Sequence, residues 1–180
     1  MSAAATNRHP IIAAVVTLAV FAVAAGAWYA LSPRMAIEAL RDFDAAPGDI
    51  AARYDRAAVR GGFARQMLPQ VDTYPPPLTK DVVLDAMSDP RSVRMFMAEP
   101  FGEWQFAAAE GLPPGLSDDG ESSDPMPRLL EVTEDWWIER DGLAGFTASG
   151  ADRSPSNTYR FRRDGLSWIL EHIELTTEIR

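Results

Sequence analysis

The chain contains no cysteine, a single lysine (Lys80) and two histidines. Without cysteine there are no disulfides, thiolate metal sites or thiol nucleophiles, although the compartment stays open because many envelope proteins also lack the residue. The shortage of histidine is nearly as restrictive. His9 precedes an apolar run, so His172 is the sole imidazole beyond it, and any triad or proton-shuttle chemistry there must use it. No serine occupies a Gly-x-Ser-x-Gly setting, and no zinc-type or nucleotide-loop spacing occurs. No cofactor and no metal is therefore expected.

Long hydrophobic runs are missing too, with one exception: Ile11 to Leu31, which carries no charge. At about 1.5 Å rise per residue its 21 residues span roughly 31 Å as a helix, close to the ~30 Å hydrocarbon core of a bilayer. Its nine Ile, Val, Leu and Phe residues favour insertion by roughly 3 to 5 kcal/mol together. Trp28 and Tyr29 stand where such a helix meets the headgroups. The expectation is a 1–10 tail, a signal-anchor helix over 11–31 and a single soluble domain over 32–180. Ala25 and Ala27 also form a small-x-small site before Trp28, so a cleaved signal peptide is the alternative. Arg34 and Arg41 outnumber Arg8, but large domains translocate with little regard to charge, so the domain is expected outside the cytoplasm.

Beyond residue 31 the chain has 16 basic against 26 acidic residues, a net charge of −10. That balance disfavours nucleic acid as a partner. Ser32-Pro33 is expected to end the membrane run and restart a helix reaching about Ala46. Pro47-Gly48 stops it, Asp49 caps a second helix, and Asp55 caps a third carrying Val59, Phe63, Gln66 and Met67. After an extended Tyr74-Pro75-Pro76-Pro77 spacer, helical spacing returns at Val83, Ala86 and Met87 and again at Val93, Phe96 and Met97. Residues 110–128 form an acidic, Pro/Gly-rich segment expected to be a mobile loop.

The last third changes period. Arg-Asp-Gly-Leu occurs at Arg140–Leu143 and again at Arg163–Leu166, and Asp-Gly pairs suit two-residue hairpin turns. Strands are predicted over Val132–Arg140, Leu143–Ala148, Thr158–Arg163 and Leu166–Thr176. Leu166, Trp168 and Leu170 share one face before the apolar parity shifts to Ile173 and Leu175, which predicts a bulge near Glu171-His172. Helices first and a four-stranded antiparallel meander second make an α+β domain.

The stretch from Trp28 to Arg60, with Asp85–Met97 and Phe161–Leu170, resembles the bacterial domain-of-unknown-function family 2939, most strongly in the juxtamembrane helix pair. The resemblance implies a small protein with one N-terminal membrane segment and brings no catalytic residue with it. Arg56 and Ala57 depart from the aromatic and proline that the family pattern implies, and the acidic loop is long. At fold level the helix-Gly-Asp-helix opening is also similar to cone-shaped domains of the nuclear-transport-factor-2-like type, which carry no single function.

Candidate sites are few. His172, flanked by Glu171 and Glu174, is the weak catalytic candidate, a general base with a raised pKa. Asp118, Asp119, Glu121 and Asp124 gather oxygen ligands without the alternation of a calcium loop. Glu131, Glu134, Asp135, Glu139 and Asp141 offer carboxylates with no defined pairing. Trp136 and Trp137 must face opposite sides of a strand, and the outward one, with Arg160 and Arg162, forms a possible partner surface. Two functions are expected to compete: a noncatalytic binding or scaffold module at the inner membrane, facing the periplasm and another envelope protein, and a ligand binder or enzyme built on His172 and a nearby carboxylate. An enclosed apolar pocket at His172 would favour the second.

Overall fold

The computed structural model describes residues 8–67, 79–98, 136–151 and 156–176. The chain divides into two units, Met1–Met35 and Ala36–Arg180. Helix α1 (Arg8–Arg41) begins in the first unit and ends in the second. Its segment from Ile11 is long and apolar enough to cross a membrane, and none of that apolar window is buried. The expected break at Ser32-Pro33 does not occur, because Pro33 sits inside the helix. Proline's fixed φ is already helical, so the chain can continue at the cost of one backbone hydrogen bond and crowding of the preceding turn. The helix stops at Arg41 rather than Ala46. Asp42 takes the Asp44 N–H on its side chain at 3.0 Å and the Ala45 N–H on its carbonyl at 3.3 Å, turning the backbone out of the helix.

In the second unit α2 (Pro47–Ala51) starts on proline at its first position, and Asp49 lies within its first turn instead of capping it. Asp55 does cap α3 (Arg56–Met67), its Oδ1 accepting the Ala58 N–H at 3.0 Å. Thr79 likewise caps α4 (Lys80–Met87), and α5 (Pro90–Ala98) turns Val93, Phe96 and Met97 inward as their spacing predicts. The strands are β1 (Trp136–Asp141), β2 (Gly145–Gly150), β3 (Thr158–Asp164) and β4 (Ser167–Glu174), in an open antiparallel sheet of order β1-β2-β3-β4. The domain is α+β. The polyproline spacer, the acidic segment, and Glu131, Glu134 and Asp135 lie outside the described residues.

Both hairpin turns fall one residue later than predicted. Asp164 pairs with Ser167, so the second loop is Gly165-Leu166; Asp141 pairs with Gly145, leaving Gly142-Leu143-Ala144 in the first. Gly142 and Gly165 have φ of 62° and 60°, while no other described residue has positive φ. A Gly-first loop needs that conformation only once, whereas an Asp-Gly loop of the mirror-image type needs it at two residues. Leu166 is accordingly 76% exposed and does not join Trp168 on the buried face.

One sheet face carries Trp136, Phe146, Ala148, Tyr159, Phe161, Trp168, Leu170 and Ile173, which join Ile37, Leu40, Phe63, Val93, Phe96 and Met97 of the helices in one core. Phe146 stacks on Phe161 at 4.4 Å between centroids, and Trp136 meets Tyr159 edge-on at 5.6 Å. Two buried phenols fasten helices to this core: Tyr159 donates to the Phe96 carbonyl and Tyr54 to the Ser88 carbonyl at 2.7 Å. Burial pushes the Tyr54 hydroxyl up to about 12, so it remains a donor at any physiological pH.

The free edge of β4 is closed by the chain entering α3. Asp55 N–H donates to the Leu170 carbonyl at 2.8 Å, and Leu170 N–H donates to the Arg53 carbonyl at 3.0 Å. Farther along, the Gln66 side chain substitutes for a neighbouring strand: its Nε2 donates to the Ile173 carbonyl at 2.7 Å and its Oε1 accepts the Leu175 N–H at 2.8 Å. The predicted bulge lies between these two attachments. Arg160 pairs with His172 and Phe161 with Leu170, so Glu171 is the extra residue.

Candidate functional site

The bulge determines what the outer side of β4 offers. Leu170 and Ile173 are both buried although three residues apart, which strict alternation forbids. The inserted Glu171 lets both point inward and leaves Glu171 and His172 together on the other face. There they meet α3. A solvent-open depression of ≈ 510 Å³ lies between helix and strand, walled by Ala57, Ala58, Gly61 and Arg65 on one side and Arg160, Glu171 and His172 on the other. A second depression of ≈ 450 Å³ continues over β1 to β3 and shares Arg160 and Glu171.

Gly62 sets the approach of α3 to the strand. A β-carbon there would lie 2.6 Å from His172 Nδ1 and 2.9 Å from Cε1, inside van der Waals contact. Gly62→Ala is expected to cost about 1–3 kcal/mol through overpacking, and His172→Ala in the same chain is expected to return most of that loss by removing the obstructing ring. Thermal unfolding of the two single variants and the double variant reads the coupling; additive losses would show that the ring is not what Gly62 accommodates.

His172 itself is half-buried. Burial lowers its pKa and Arg65 pushes the same way; Glu174 opposes them, followed by a smaller downward push from Arg160 and a still smaller upward one from Glu171. The expectation of a raised pKa is thus corrected: desolvation and two guanidinium groups outweigh the flanking glutamates, and the imidazole is neutral at neutral pH. Nor is Glu171 its partner. Glu171 lies 3.8 Å from Arg162 Nε, and Arg162 reaches Asp55 at 3.6 Å on its other side. These pairs are substantially exposed and contribute little to stability. Among the described residues His172 has no hydrogen-bonded carboxylate, so no acid–base dyad is assembled on it.

The outer sheet face also receives the predicted partner surface. Trp136 is buried beneath Arg41, whose guanidinium lies 5.7 Å from the ring centroid, while Trp137 is 68% exposed. Trp137 pairs with Ser149, and Arg160 lies two strands away on the row of Glu139 and Thr147. Strand spacing and rise put the Cα atoms of Trp137 and Arg160 about 12 Å apart on one face. Glu139, Asp141 and Arg162 border the second depression. Arg65 was not foreseen in the sequence. Its signal was the interval Ala57, Gly61, Arg65, which places two small residues and a guanidinium along one helical face.

No protein family, no curated protein and no solved structure matches the chain.

Proposed function

We propose that the protein is a single-pass, membrane-tethered binding module whose α+β domain lies outside the cytoplasm and presents the outer sheet face to another envelope component. The observation that carries the tether is the surface of α1. Ile11, Ile12, Val15, Val16, Leu18, Val20, Phe21, Val23 and Leu31 are all more than half exposed, and placing these residues in a bilayer is worth roughly 3–5 kcal/mol on the insertion scale. Insertion in the inner membrane with the N-terminal tail inside is the orientation proposed. The resemblance to family 2939 and the cone-like fold comparison belong to this proposal, the former on its juxtamembrane residues.

Support for binding rather than catalysis comes from the interior. The described core is built of aromatic and aliphatic side chains, and His172 borders an open, polar depression instead of an enclosed apolar pocket. Tethering raises the domain's effective concentration near other membrane proteins, so a modest surface such as Trp137 with Arg160 and Arg162 suffices.

The test is fractionation of the full chain in a bacterial host, with a C-terminal reporter active only outside the cytoplasm. The chain is expected to stay with membranes through alkaline carbonate, to enter solution only with detergent, and to give an active reporter. Recovery in the soluble fraction removes the tether, and a silent reporter on an intact membrane-bound chain removes the orientation.

A further inference from the structure

We propose that the depression between α3 and β4 is a binding site for a small oxyanion, a carboxylate or phosphate group held between the guanidinium groups of Arg65 and Arg160. The inference rests on the binding-module reading and supplies its ligand chemistry.

Both arginines line the depression, one from the helix and one from β3. Arg41, Arg60 and Arg162 each lie beside a carboxylate. Arg65 and Arg160 have no ion pair or side-chain hydrogen bond among the described residues. What sets these two apart among the exposed arginines is that both border one open concavity together with His172. Each guanidinium offers a planar fork of donors that fits two oxygens of a carboxylate or phosphate. Ala57, Ala58 and Gly61 leave the helix wall without long side chains, so the space beside the forks stays open. The one lining carboxylate, Glu171, lies toward Arg162.

His172 completes the wall. Arg65 from the helix, Arg160 from β3 and Glu171 and Glu174 from β4 are the charged groups acting on its ring. With its proton affinity depressed, the neutral imidazole can give one N–H to an anion. An anion between the arginines offsets their repulsion of the imidazolium, so its binding must raise the His172 pKa. By reciprocity, protonation must tighten anion binding as pH falls through that pKa. The site is open to solvent, which predicts millimolar affinity and strong weakening by salt.

The experiment uses the full chain in nonionic detergent with His9→Gln, which leaves His172 as the only imidazole. The pKa of the labelled ring is followed by NMR against inorganic phosphate and, separately, acetate, with sodium chloride holding ionic strength constant. A saturable upward shift is expected with at least one anion, and the anion that saturates at lower concentration identifies the preferred group. Arg65→Gln with Arg160→Gln should weaken binding at least tenfold. Arg160→Lys, which keeps charge but loses the fork, should weaken it several-fold, and exposed Arg91→Gln on α5 should leave it unchanged. A shift that never saturates with either anion, or that persists at full strength in the double arginine variant, overturns the proposal. Neither result bears on the tether, which fractionation decides independently.

Discussion

With Val16 and Val20 both replaced by arginine, the chain is expected to leave the membrane fraction. An arginine near the centre of a spanning helix costs about 2.5–3.5 kcal/mol on the insertion scale, so two cost roughly 5–7 kcal/mol against the roughly 3–5 kcal/mol favouring the run. The balance changes sign. Val16 and Val20 belong to the unit Met1–Met35 and not to the α+β domain, whose near-ultraviolet dichroism should be unchanged. Flotation on a density gradient is the measurement, because it separates membrane-bound protein from aggregates that merely sediment. The Val16→Ala, Val20→Ala chain should still float. If the arginine chain floats as well, the apolar run is not the tether.

The second large effect is expected from Gln66→Leu, which keeps nearly the same volume and removes only polarity. It deprives the Ile173 carbonyl and the Leu175 N–H of their partners at 2.7 and 2.8 Å. At about 1–3 kcal/mol for each stranded polar group, and with water reaching this half-buried position, the loss should be roughly 2–4 kcal/mol. Gln66→Glu is the informative companion: a carboxylate still accepts the Leu175 N–H but faces the Ile173 carbonyl with no donor at neutral pH. Chemical denaturation in detergent should therefore rank wild type above Gln66→Glu and, as pH falls through the carboxyl's titration, show that variant regaining stability. A Gln66→Leu chain as stable as wild type would mean that solvent already satisfies the β4 edge.

Much of the fold was legible in the sequence for local reasons. Asp55 capped its helix because an Asp before Arg56-Ala57-Ala58 can accept a free N–H, and the parity break between Leu170 and Ile173 located the bulge. What failed also failed locally. Ser32-Pro33 suits a capped restart, but the φ of proline fits a helix interior equally well and α1 runs through it; each Asp-Gly pair supplies the positive φ expected of its glycine, but that glycine opens the loop instead of closing it. The site was only half visible. His172 and Arg160 stood out by rarity and alternation, but their meeting with Arg65 depends on the approach of α3 to β4. That approach is set by Gly62 and Gln66, residues whose types alone announce nothing. The sign of the His172 pKa shift was likewise invisible, since sequence neighbours Glu171 and Glu174 argue upward while burial and the through-space neighbour Arg65 argue downward.

The way β4 is sealed also governs how this gene product can vary in length. Gln66 and Ile173 are separated by 107 positions along the chain, so the fastening closes one very large ring of polypeptide. The entropy of closing such a ring grows only with the logarithm of its size, and even doubling it adds about 0.6 kcal/mol. Insertions and deletions within the ring are therefore nearly free, provided that they spare the helices and strands, whereas shifting Gln66 by one residue along α3 would undo the seal altogether.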